Sequence, residues 1–200
     1  WEEKSPEDWE YENDHSQSDM KQYMAAGGLS HRYFFNDRAF LKTTLAATYF
    51  KSTADMKIYD TDFTSTPYLD MYRENTNLVF TTAYNHKFSS RFTNKTGFTY
   101  TQMYYDMKMS LVPYIAQPMN LISAYTSNSI DLSNRLTLSL GLSTQNLTLN
   151  SQWTLEPRAG LKWKTNERLS LSAAYGLHSR MEKMDVYYTR TPQTGDQLVN

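Results

Sequence analysis

The chain has 200 residues, a net charge of −1, a mean hydropathy of −0.67 and no cysteine, which excludes a disulfide framework, a thiolate metal site and a cysteine nucleophile. No apolar run reaches the ~18–20 residues of a membrane helix, and the near-neutral balance supplies no general pull toward nucleic acid. Aromatic residues make up 14% of the chain, 16 of them Tyr, a mix that favours strands over disorder; a membrane β-barrel stays open, because alternating strands average to a polar sequence.

Residues 1–20 open the chain as an acidic loop. Eight carboxylates oppose Lys4 alone over residues 1–19, a net charge of −7 that leaves +6 for the remainder. Such a run reads as a solvated loop, with Trp1, Trp9 and Tyr11 as its apolar handholds. The chain starts without a charged-then-apolar leader and stops after a Thr-Pro-Gln-Thr-Gly loop signature, so both ends read as cut from something longer.

Strand-like segments then follow at about 22–35, 39–59, 73–88, 92–110, 121–132, 135–147, 152–164 and 168–178. Gly27-Gly28 in the first reads as a bend or a gap for another backbone. Met103, Met107 and Met109 share one face of the fourth with Tyr105, as a packed wall or a soft ligand contact.

Alternation is clearest in the last three segments. Leu136, Leu138, Leu140 and Leu142 alternate with Thr137, Ser139, Gly141 and Ser143. In the next, Trp153, Leu155, Pro157, Ala159, Leu161 and Trp163 oppose Thr154, Glu156, Arg158, Gly160, Lys162 and Lys164. In the last, Leu169, Leu171, Ala173, Tyr175 and Leu177 oppose Ser170, Ser172, Ala174, Gly176 and His178. A polar face rich in Gly and Ser beside isolated charges suits a narrow wet lumen better than bulk water. Glu156, Arg158, Lys162 and His178 are therefore the candidate lumen contacts, with mutual neutralisation of Glu156 and Arg158 as the alternative role of that pair.

Tight turns fall at Asn36-Asp37, Ser89-Ser90, Ser133-Asn134 and Thr165-Asn166-Glu167, and longer links are expected at 60–72 and 111–120. Short turns alternating with long loops, the exception being the brief link at Asn146–Ser151, are the habit of outer-membrane barrels; residues 181–200 then begin another outer loop. Tyr33, Phe35, Phe88, Phe92 and Trp163 lie near the tight turns and Trp153 near the opposite end, the expected positions of an interfacial aromatic girdle. Phe80, Tyr84, Phe98, Tyr100 and Tyr175 fall mid-strand and do not fit it.

Other chemistry finds little footing. Ser30-His31 and His178-Ser179 pair a serine with a histidine, but adjacent strand residues point to opposite faces and cannot share the nucleophile–base bond. The four histidines are scattered singly, with no ligand spacing for a metal. Lys and Arg are dispersed, leaving no nucleic-acid footprint. No enzyme and no cofactor is expected.

The run Leu155-Glu156-Pro157-Arg158-Ala159-Gly160-Leu161-Lys162, a short turn, and Leu169 through Arg180 resemble late barrel hairpins of TonB-dependent outer-membrane receptors. Leu29 through Asp37 and Phe40 through Ala46 resemble an earlier hairpin of the same family, and the similarity covers most of residues 20–190. The resemblance implies an all-β fold, antiparallel and transmembrane, with about eight up-and-down strands of a barrel of about 22. It further implies an N-terminal plug and import of a scarce solute such as a metal chelate, cobalamin, glycan or peptide. The implied partners are the TonB–ExbB–ExbD complex, acting through a TonB box ahead of the plug, the lipid bilayer and, in some relatives, a surface lipoprotein. Two alternatives stand beside it: a closed eight-stranded barrel with a structural or adhesive role, and a soluble all-β binding module.

Overall fold

In a computed structural model, the structure describes residues 7, 15–62, 64–109, 112–181 and 187, with the side chains of residues 109, 112–115 and 117 excepted. Trp1, Trp9, Tyr11 and nearly all of the expected closing loop at 181–200 lie outside the described residues.

Eight strands form: β1 (Ser16–Asn36), β2 (Ala39–Tyr59), β3 (Ser65–Lys87), β4 (Phe92–Met109), β5 (Val112–Ser133), β6 (Leu136–Leu147), β7 (Gln152–Lys164) and β8 (Ser170–Gly176). They make one sheet in the order β1-β2-β3-β4-β5-β6-β7-β8, each strand beside its sequence neighbours. This is an all-β, up-and-down meander. No helix among the described residues is long and apolar enough to cross a membrane, which says nothing of crossing by strands.

The elements match the alternation, with two differences. The expected long links at 60–72 and 111–120 are mostly strand, since β3 starts at Ser65 and β5 at Val112. The links at 60–64 and 148–151 are then about as short as the turns at the other strand ends, so the expected alternation of short turns with long loops is not observed. The acidic opening is likewise shorter than expected, because β1 starts at Ser16.

By backbone contacts the chain divides into two units, one of residues 1–26, 48–76 and 104–118, the other of residues 27–47, 77–103 and 119–200. In the first, the Tyr59 amide donates to the His15 carbonyl at 2.8 Å, and Ser52, Ala54, Tyr105 and Met107 are buried. Its β2–β3 turn is knit by the Asp60 amide on the Thr64 carbonyl at 3.0 Å and by the Thr64 amide on Asp62 Oδ1 at 2.9 Å.

In the second unit, register fixes the two faces. Leu138 and Leu140 stand opposite Ile130 and Asn128 on β5 and opposite Leu161 and Ala159 on β7; Leu161 stands opposite Ala173, and Trp163 opposite Leu171, on β8. Leu138 is half-buried, while Leu140, Leu161 and Leu171 are uncovered, with Leu140 41% and Leu171 52% exposed. The other face carries Ser139, Gly141 and Ser143 beside Gly160, Arg158 and Glu156. A β-bulge between Asp131 and Ser133 inserts Leu132 as the extra residue of β5.

Gly28 has a use within the sheet. A Cβ there would lie 2.8 Å from the Leu45 carbonyl oxygen and 3.1 Å from Ala46 Cβ. The backbone it admits belongs to β2. In the first unit Met107 is buried with Tyr105, whose hydroxyl donates to Met107 Sδ at 3.3 Å; Met103 is buried in the second, and the Met109 side chain lies outside the described residues.

Candidate functional site

The polar face of β6, β7 and β8 carries a built charge cluster. Glu156 is 2% exposed. Its Oε2 accepts Arg158 Nη2 at 2.7 Å and Ser143 Oγ at 3.1 Å. Its Oε1 accepts the Ser179 amide at 3.0 Å and the Ser179 hydroxyl. Strand periodicity puts Glu156 and Arg158 on one face, and register brings Ser143 directly opposite Glu156. A carboxylate withdrawn from water this far is tolerable only with its lone pairs filled, and four donors fill them.

Arg158 lies between two glycines, opposite Gly141 on β6 and Gly176 on β8. A Cβ on Gly176 would come within 2.9 Å of Arg158 Cγ, so the glycine leaves room for the arginine stem to fold toward Glu156. Arg158 and His178 border a hollow of about 410 Å³ whose remaining polar-face wall includes Ser127, Ser139, Gly160 and Ala174. Tyr125 rims it with its ring laid over Gly97, 2.5 Å from where a Cβ would stand. Lys95 Nζ lies 5.6 Å from that ring.

Of the four residues expected to face a lumen, Glu156 and Arg158 meet directly and His178 lines the same hollow as Arg158. Lys162 does not: it lines a second hollow with Arg91, Arg135 and Lys164. Sequence reasoning missed Ser143 and Ser179 as partners of Glu156. Alternation hints at Ser143, but Ser179 lies beyond the end of β8 and carries no periodic signal.

The serine–histidine dipeptides do not make nucleophile–base pairs. Ser30 Oγ lies 3.1 Å from Thr44 Oγ1, and Ser179 is engaged with Glu156. Among the described residues no group of three or more potential ligands could hold a metal ion.

Beside the tight turns at the ends of β1 and β3, aromatic rings form a continuous chain. Tyr33 meets Phe35 edge-on at 5.1 Å, Phe35 meets Tyr84 at 5.9 Å, Tyr84 meets His86 at 5.7 Å, His86 meets Phe88 at 4.1 Å, and Phe88 stacks on Phe92 at 5.1 Å. Tyr84, which looked mid-strand, joins it, as does His86, which an aromatic count leaves out. Trp163 and Trp153 are 49% and 67% exposed on the leucine-bearing face of β7.

The profile of the family described as TonB dependent receptor-like, beta-barrel matches residues 3–198. No curated protein sequence matches the chain. Among solved structures, a TodX monoaromatic hydrocarbon channel (a deltaS2 mutant) is similar at a TM-score of 0.46 and 16% identity, covering 79% of this chain and 45% of that one. The chain thus spans less than half of that channel's length. With the family profile spanning nearly its whole sequence, the chain belongs to the TonB-dependent receptor-like β-barrel family.

Proposed function

We propose that this chain is a section of the wall of an outer-membrane receptor barrel that imports a scarce solute, with TonB supplying the energy through a region outside residues 1–200. The uncovered leucine-bearing face of β6, β7 and β8 carries the reading. Large apolar side chains in such a contiguous patch need a cover, and the described residues provide neither an opposing sheet nor a helix layer. Hydrocarbon is the cover that leaves the opposite, Gly- and Ser-rich face to line water.

On this reading the turns at 37–38, 89–91, 134–135 and 165–169 face the periplasm, and the aromatic chain from Tyr33 to Phe92, with Trp163, sits at that interface. Trp153 takes the outer one. Glu156, Arg158 and His178 face the solute path or a plug. The cargo class named by the resemblance, whether metal chelate, cobalamin, glycan or peptide, and any surface lipoprotein belong to this proposal.

A closed eight-stranded barrel is disfavoured because β1 and β8 stand at opposite ends of the strand order rather than side by side. Strand edges left bare in lipid cost several kcal/mol per unpaired group, so the wall requires further strands. A soluble binding module is disfavoured by the uncovered leucines.

The chain has no native cysteine, so single-cysteine scanning reads the faces directly. In vesicles, Leu140→Cys and Leu142→Cys should resist a water-soluble maleimide while Ser139→Cys and Gly141→Cys react. Labelling without this alternation removes the membrane reading. Replacing Glu156 and Arg158 together by Gln should lower solute uptake while leaving the strand spectrum intact; unchanged uptake removes both from the path.

A further inference from the structure

The four turns that lead into β2, β4, β6 and β8 are built alike. In each, a side-chain oxygen accepts the backbone N–H of an arginine two residues on. Asn36 Oδ1 takes Arg38 at 2.8 Å, Ser89 Oγ takes Arg91 at 3.2 Å, Ser133 Oγ takes Arg135 at 3.2 Å and Asn166 Oδ1 takes Arg168 at 2.9 Å. Such a turn uses only the amide of that residue, so the turn itself does not demand arginine. The four arginines form a row at the entries to β2, β4, β6 and β8, and two of them, Arg91 and Arg135, line a hollow with Thr137 and Lys162 of the polar face. All four are exposed.

In the middle of this row lies the second hollow, about 590 Å³, lined by Arg91, Arg135, Lys162 and Lys164 with Asp131 and Thr137. The Arg91 carbonyl accepts the Asp131 amide at 2.8 Å, and the Arg135 carbonyl accepts the Lys164 amide at 2.8 Å. Lys162 stands opposite Thr137 in register. The one carboxylate in the group is partly occupied, its Oδ1 accepting the Thr137 hydroxyl at 2.7 Å. Four cations around a single carboxylate leave an excess positive field inside one concavity, which an anion relieves.

We propose that this hollow binds a phosphate-type oxyanion carried by a small solute. Guanidinium forks match phosphate oxygens in pairs, and the two lysines act as movable point charges. Ser90 and Asn134 on the same wall add neutral donors. A phospholipid headgroup offers the same chemistry, but the hollow opens on the polar face, away from the leucines that would anchor acyl chains. Rings of Arg and Lys select anions in pores by this means. The assignment of the solute's route rests on the barrel reading above; the binding itself does not.

The protein in detergent micelles is titrated calorimetrically with sodium pyrophosphate at low ionic strength, with phosphatidylglycerol bicelles as a second arm. Expected are saturable pyrophosphate binding, weakening of about tenfold or more in the double variant Arg135→Gln/Lys162→Gln, and similar weakening in high salt. Asp131→Asn, which removes the one opposing charge, should tighten binding severalfold. Should the double variant fail to fold, Lys164→Gln alone still predicts weaker binding. Absence of saturable binding, equal affinity in all variants, or binding of phosphatidylglycerol but not pyrophosphate overturns the site. Flotation with lipid vesicles reads the barrel proposal separately: a protein that binds pyrophosphate yet stays out of vesicles keeps this site and loses the importer.

Discussion

Glu156 and Arg158 are not equal partners, because the carboxylate is buried and the guanidinium side chain is 49% exposed. Removing the cation strands a buried charge, whereas removing the charge on Glu156 leaves an arginine that still reaches water. Arg158→Met should therefore destabilise by about 2–3 kcal/mol and Glu156→Gln by about 1 kcal/mol, read as the shift in urea midpoint; the reverse order would contradict the described burial. Gly176→Ala should act on the same pair from the next strand, since its Cβ would meet Arg158 Cγ at 2.9 Å. The stem would have to swing away, and loss of the Arg158 contact in a variant crystal structure would be its signature. This pair was legible as two side chains on one face of a strand. Its closure by Ser143 and Ser179 was not, because cross-strand register and the path after β8 are tertiary facts.

At the level of elements, turns and bulges carry what alternation alone could not specify. Ser151, in the β6–β7 turn, has φ of 54°, a left-handed conformation that costs a non-glycine residue about 1–2 kcal/mol. Ser151→Gly should stabilise by about 0.5–1 kcal/mol after the entropy of glycine is counted, measured as a rise in the unfolding midpoint. In the β2–β3 turn, the Thr64 hydroxyl and amide hold the Asp62 carboxyl below the ordinary carboxylate range. A lowered value in the folded turn means that its order is fully supported above the unfolded value and is lost as pH falls through the folded one. NMR titration of the Thr64 amide should show this, and Thr64→Val should raise the midpoint.

For the whole molecule, the composition already pointed to strands, and the leucine alternation already separated two environments. What stayed hidden was how polar side chains settle on the apolar side: Asn94 Nδ2 donates to Thr126 Oγ1 at 3.0 Å and to Asn128 Oδ1 at 2.8 Å, and Thr126 and Asn128 share the face of Leu142 and Leu140. Paired amides and hydroxyls satisfy one another there, so their polarity does not argue against hydrocarbon. The stacked rings at Phe88 and Phe92 contribute to the same side. If the proposed interface position holds, replacing both by Ala should lower the thermal midpoint in vesicles more than in detergent, because an interfacial ring gains from headgroups that a micelle orders less well. The side-chain-capped turns also bear on how the sheet is assembled. Each closes within a handful of residues and sets its own hairpin's alignment without help from distant chain, so pairing can nucleate at such a turn and zip away from it. Slippage by one residue would turn a whole leucine row inward, and it is these small Asn and Ser hooks, rather than the long arms they join, that guard against it.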